Sequence, residues 1–189
     1  MVADARARMI DSAAVLLARH GSRGASFSEV LAASGAPRGS LYHHFPGGKE
    51  ELVLAALDAA GARADGVLDG LVGRDAVAVT EAFLGLWRRL LVATDLAVGC
   101  AVAGVTVDAE SPVLIERSAA VFRGWRGRLA TLLEAGGVPS ARSAALAATV
   151  IAASEGAVLL ARAERDLAVF DLVADETIAA VRAALSIGV

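Results

Sequence analysis

Arg38, Ser40, Tyr42 and His43 lie close enough together to share one kind of chemistry, the gripping of a polyanion and the reading of its edges. An arginine can pair bidentately with a guanine edge or with a phosphate. The Ser40 and Tyr42 hydroxyls can donate to phosphate oxygens, and Gly39 lets a backbone approach closely. Leu41 and Phe45 lie four apart within the same stretch, so on a helix they share a face and can anchor it. The polar set then points outward. The other reading of this segment is a solvated surface helix that happens to carry an Arg and a Tyr.

Such side chains need a short helix presented at the end of a tight turn, and the flanking residues encode one. Ser26 and Glu29 form an S-x-x-E capping box, which starts a helix near residue 27. Phe27, Val30 and Leu31 recur at helical spacing, and Gly35 supplies the freedom a turn needs. Pro37 cannot continue a helix from upstream but suits the start of the next. Two short helices joined by a glycine turn are the arrangement of a DNA-reading helix-turn-helix. Upstream, Ile10, Ala13, Ala14 and Leu17 form one stripe of a first helix that stops at His20-Gly21. Downstream, Lys49, the single lysine among 18 basic residues, stands at a helix N-terminus that favours phosphate.

This segment resembles the N-terminal signature of the TetR family of bacterial transcriptional regulators, with Gly35, Gly39, Leu41, Tyr42, Phe45, Lys49 and Leu52 matching. The resemblance covers about the first 55 residues; beyond them it is one of architecture. Pro37 stands where the family often has Ser or Thr, and Phe45-Pro46-Gly47-Gly48-Lys49 is one residue longer than the usual spacing. The string PRGSLYHHFPGGK is similar to a subgroup typified by regulators of drug-resistance genes. The resemblance implies an all-α fold with a DNA-binding domain over 1–48 and a helical effector-binding and dimerisation domain over 49–189. DNA contacts would come from Ser26, Pro37, Arg38, Gly39, Ser40, Tyr42, His43 and Lys49.

Composition sets bounds on these readings. Residues 1–50 hold six Lys/Arg and four Asp/Glu, and the rest holds 12 and 17, recovering the net charge of −3. With a pI near 5.6 the chain is unsuited to coating nucleic acid nonspecifically, although a small reader is compatible with it. Mean hydropathy is high at +0.59, but the uncharged runs 96–107 and 143–154 stop short of a span, so no membrane partner is expected. The N-terminus lacks an apolar signal core, and one cysteine cannot form an internal disulfide. A cytoplasmic location follows as the expectation.

From Lys49 onward the chain reads as almost continuous helix, with prolines confined to boundaries. The expected helices are 4–19, 27–34, 38–44, 49–70, 75–94, 98–109, 112–135, 140–165 and 170–186. Phe83 with Trp87, and Phe122 with Trp125, share helix faces and could line an effector pocket of the kind the family encloses, beside Leu57, Leu90, Leu91, Cys100 and Val121. Aromatics at helical spacing also simply fill cores. Arg88, Arg89, Arg123 and Arg126 fit a solvated face better than an anion site. Cys100, beside Gly99 at a helix start, is either a small buried hydrophobe or a sensitive thiol.

Ala148, Ala152 and Gly156 form a small-residue stripe beside Leu146, Val150, Leu159 and Leu160. With Leu172, Ile178, Val181 and Leu185 of the last helix, they would supply a four-helix contact between two copies; the other reading is a core helix. A homodimer doubles the contacts of one short reader on a palindromic site.

Two functions compete. One is a ligand-responsive regulator, most simply a repressor, binding a double-stranded DNA operator and released by a small apolar effector; helix 49–70, with Gly61 and Gly66, would be its lever. The other is an all-helical small-molecule enzyme or carrier without DNA binding. For that the chain offers no G-x-S-x-G, no H-E-x-x-H and no phosphate-cradling loop. Adjacent His43 and His44 point about 100° apart and cannot chelate one ion as an i,i+4 pair could. No metal and no cofactor is expected.

Overall fold

The computed structural model describes residues 2–186, with side chains from Ala5 onward, and among them there are nine helices and no strand. They are α1 (Val2–His20), α2 (Phe27–Ser34), α3 (Arg38–His44), α4 (Gly48–Asp69), α5 (Ala76–Ala93), α6 (Ala101–Asp108), α7 (Pro112–Ala135), α8 (Ser140–Glu164) and α9 (Leu167–Leu185). The expected start of the first helix, residue 4, has a side chain outside the described set.

The chain forms two compact units. The first comprises the residues up to Arg63 together with Cys100–Phe122, and the second comprises Ala64–Gly99 and the residues from Arg123 on.

In the first unit α1 is the hub, packing against α2, α3 and α6. Met9, Ala13, Ala14, Leu17 and Ala18 are its buried face, while Ile10 is half-buried. The local signals for α2 act as the sequence implies. Ser26 is extended at φ −74°, its hydroxyl oxygen accepts from the Glu29 amide at 3.3 Å, and its own amide donates to the Glu29 carboxylate at 2.8 Å. Gly35 ends the helix in the left-handed region at φ +63°, a conformation that strains any residue carrying a Cβ. Pro37 precedes α3 at φ −63° and makes no side-chain cap. At Gly104 α6 crosses α1 so closely that a Cβ would lie 2.7 Å from the Leu17 carbonyl oxygen. That position admits no larger residue without a shift of backbone.

In the second unit α9 packs on α5 and α8. Phe83, Leu84, Leu91, Trp125, Leu129, Leu133, Phe170 and Val181 are buried there.

Two helix starts differ from the expected ones by three residues, and caps explain both. Asp95 and Leu96 take positive φ of 48° and 60°, and Cys100 is extended with its Sγ accepting from the Ala103 amide at 3.4 Å, so α6 begins at 101 and not 98. Arg165, left-handed at φ 56°, closes α8, and the Asp166 carboxylate accepts from the Ala168 amide at 2.9 Å; α9 therefore opens three residues earlier than expected. Helix α8 is by length and composition the one described helix that could cross a membrane, despite the charge at Glu155. Here it packs against α9 and α5 as part of the second unit's core.

Candidate nucleic-acid interface

Helix α3 is seven residues long and buries Leu41, while Phe45 at its C-cap is fully buried. These anchors turn the remaining side chains outward. Arg38, Gly39, Tyr42 and His43 are exposed and Ser40 is half-exposed. A Cβ built on Gly39 meets nothing within 4 Å, so no packing inside the chain accounts for glycine at this helical position. In an exposed helix glycine costs about 1 kcal/mol relative to alanine.

Tyr42 is 69% exposed, yet its ring is not loose: the Phe27 ring meets it edge to face, with centroids 5.9 Å apart and planes at 86°. The Ser40 hydroxyl donates to the Pro37 carbonyl at 2.6 Å. Its proton is therefore committed, and Ser40 faces outward as an acceptor rather than the phosphate donor its type suggests. Ser26 acts in the α2 cap, its oxygen accepting from the Glu29 amide and its hydroxyl engaged with the Glu29 carboxylate.

The ammonium of Lys49 donates to the Ser22 carbonyl oxygen at 2.6 Å. One of its three protons is thus spent on holding the α1–α2 turn, from a side chain that remains exposed. The same turn is held from a second direction. The Asp108 carboxylate at the end of α6 accepts from the amides of Ser22 at 2.9 Å and Arg23 at 3.2 Å. Burial pushes the Asp108 carboxyl pKa up, but the hydrogen bonds from Ser22 and Arg23 and the Arg23 charge together hold it below the ordinary carboxylate value. Glu29 is likewise held low, by the hydrogen bonds of the Ser26 cap.

Arginines of α1 also pack beside α2 and the C-cap of α3. The Arg6 guanidinium sits 5.3 Å from the centre of the Phe45 ring, and Arg8 Nε donates to the Ser34 carbonyl at 3.1 Å. Neither is visible from the α3 sequence, since both depend on how α1 crosses the later helices.

The residues considered for an effector divide between the units. In the first, Leu57 and Cys100 are buried, and Val121 and Phe122 half-buried. In the second, Phe83, Leu91, Trp87 and Trp125 are buried and Leu90 half-buried. Trp87 and Trp125 meet edge to face at 6.3 Å. The indole nitrogen of Trp87 is buried and has no hydrogen-bond acceptor among the described residues. An open groove of about 380 Å³ in this unit is lined by Leu84, Arg88, Phe170, Asp171 and Ile178 among others, and by none of the expected effector residues. Arg88 is not available there for an anion, because its guanidinium forms a fork with Asp171 at 2.8 and 3.0 Å.

The candidate interface residues of α8 and α9 also divide. Leu146, Val150 and Val181 are buried within the protomer, as the core-helix reading expects of them. Ala152, Gly156, Leu159 and Leu160 are exposed, Leu159 by 66%, while Ala148, Ile178 and Leu185 are half-buried. Leu172 of α9 is 71% exposed.

The helix-turn-helix with an outward polar reader defines the class, a DNA-binding helical protein. Residues 9–56 match the model of bacterial regulatory proteins of the tetR family, and residues 76–176 match the C-terminal domain of LmrA/YxaF-like transcriptional regulators. The chain is 40% identical over 176 residues to an uncharacterized HTH-type transcriptional regulator of Mycobacterium tuberculosis, covering 89% of each. It is also 42% identical over 55 residues, 29% of each chain, to the HTH-type transcriptional regulator LmrA of Bacillus subtilis. Among solved structures, a TetR transcriptional regulator from Chloroflexus aurantiacus shares 31% identity with a TM-score of 0.80 over 96% of both chains. The regulatory protein TetR from Rhodobacter sphaeroides shares the fold at a TM-score of 0.83 over 92% of this chain and 97% of that one, with 24% identity. The chain belongs to the TetR family and is a DNA-binding transcriptional regulator, not an enzyme. Likeness to relatives thus runs well past the first 55 residues, into the C-terminal helices where only shared architecture is expected from sequence.

Proposed function

We propose that this regulator is a cytoplasmic repressor that binds a palindromic operator as a homodimer and is released by a small apolar effector. The observation that carries the DNA half is α3 itself, whose two anchors point inward while Arg38, Gly39, Tyr42 and His43 stand exposed. Arg38 reads a base edge or grips a phosphate, Tyr42 donates to a phosphate, Ser40 accepts, and Gly39 admits the DNA backbone closely. Lys49 adds charge at the start of α4 with the protons its bond to Ser22 leaves over. Two such readers related by a dyad meet successive major grooves.

The dimer reading is supported by the apolar face that Ala152, Gly156, Leu159 and Leu172 leave exposed on α8 and α9. The effector reading is supported by Trp87, whose buried N–H lacks an acceptor beside an aromatic neighbour; a buried unsatisfied donor is costly, and a ligand oxygen would satisfy it. Effector binding would shift the population of dimers away from the spacing that fits the operator.

A gel shift with the region upstream of its own gene tests the DNA half. Wild type retards the fragment above its nonspecific background, and Arg38→Ala and Tyr42→Ala weaken it. Equal retardation of the fragment by all three proteins contradicts the assignment of α3 as the reader.

A further inference from the structure

We propose that Phe27 is a positioning residue for operator recognition, its ring holding Tyr42 in the pose in which the phenol meets a DNA phosphate. This rests on the reading of Tyr42 as a DNA contact. A tyrosine exposed by 69% on a seven-residue helix has little of its own helix to lean on, because Leu41 and Phe45 point inward. The support comes from another element: Phe27 presents a ring at 86° to it, 5.9 Å away. Edge-to-face geometry sets the direction of the second ring as well as its distance. With the Ser40 proton held by the Pro37 carbonyl, Tyr42 is the neutral hydroxyl of α3 whose proton no described group accepts. Its orientation therefore matters more than a count of polar residues suggests.

Phe27 is itself fixed. It is the first residue of α2, directly after Ser26, whose reciprocal bonds with Glu29 determine where that helix starts. The capping box thus acts at a distance: it places Phe27, Phe27 orients Tyr42, and Tyr42 arrives at the DNA with its side-chain entropy already reduced.

The experiment uses the full chain and a DNA duplex recovered from random sequence by repeated selection on wild-type protein. Phe27→Leu keeps an apolar residue in place but removes the ring, and raises Kd about fivefold through the freed side chain. The same substitution in a Tyr42→Ala background changes Kd by less than about twofold, since no ring remains to be held. Phe27→Tyr, which restores a ring, returns Kd to within about twofold of wild type. The slope of log Kd against log salt does not change, because the phenol is neutral and displaces no counterion. Thermal unfolding verifies folding, and Phe27→Met replaces Phe27→Leu if the latter lowers the melting temperature.

An undiminished Phe27→Leu effect in the Tyr42→Ala background overturns the proposal, placing Phe27 in the folding of α2. Unchanged Kd in Phe27→Leu, with Tyr42→Phe still weakening binding, overturns the positioning role and leaves the contact intact. Unchanged Kd in both Tyr42→Phe and Tyr42→Ala removes the contact, and the proposal with it.

Discussion

Helices α3 and α8 both leave part of their surface unused by the chain, and they do so with opposite chemistry. The seven residues of α3 bury Leu41 and expose Arg38, Tyr42 and His43, groups that hydrogen-bond or carry charge. The 25 residues of α8 bury Leu146, Val150 and Val158 and expose Ala152, Gly156 and Leu159. Gly39 and Gly156 make the comparison sharper, since a Cβ at either would meet open space. The same is true of Gly66, Gly124 and Gly127, so openness by itself marks no interface. What distinguishes the two sites is the company each glycine keeps, hydroxyls and a guanidinium on α3, methyls and a leucine on α8. A polar surface of that kind fits a polyanion, and an apolar one fits a second copy of itself.

Substitutions can break this comparison at each of its parts. The largest expected effect is at the anchor: Leu41→Ala removes a fully buried side chain, destabilises the protein by about 2–5 kcal/mol in chemical denaturation, and abolishes DNA binding with it. Arg38→Ala separates the two consequences. Arg38 is exposed, so stability moves by no more than about 0.5 kcal/mol, while operator affinity measured by anisotropy falls about 10- to 100-fold. On the other surface, Leu159→Glu places a charge on the exposed face of α8; sedimentation should show the dimer dissociating at concentrations about tenfold higher or more, with helical content unchanged. Val150→Ala is the matched control on the same helix, lowering stability rather than altering assembly, because Val150 is fully buried in the protomer.

The smallest effect concerns the α1–α2 turn. The folded-state pKa of Asp108 lies below its unfolded value, so its bonds to Ser22 and Arg23 contribute stability above the ordinary carboxylate range. That contribution is lost as pH falls through the folded pKa. Wild type should therefore be more stable than Asp108→Asn near neutral pH, with the gap closing under acid; a gap independent of pH contradicts the assigned role.

The start of α2, the turn at Gly35 and the anchors of α3 were legible because each is encoded by residues within a few positions of one another. Capping and period need no knowledge of the rest of the chain. The partners of Lys49 and Asp108 were not legible, since Ser22 lies 27 and 86 positions away from them. The Phe27–Tyr42 pair was hidden for the same reason, although both residues stood out individually. Helix α8 is ambiguous for a different reason. Apolar residues surround its whole circumference, so periodicity could not tell Leu146 and Val150, which face the core, from Leu159, which does not. The early start of α9 rested on Asp166, whose type permits a cap without requiring one.

The proposed function requires that α3 read DNA and that it do so in pairs. Footprinting of wild-type protein and Arg38→Ala on the region upstream of its own gene tests both parts at once. Wild type is expected to protect a two-fold symmetric sequence, with half-sites about one helical turn apart or a multiple of that, and Arg38→Ala to lose that protection at the same protein concentration. Protection without symmetry, or equal protection by the two proteins, would contradict the proposed function.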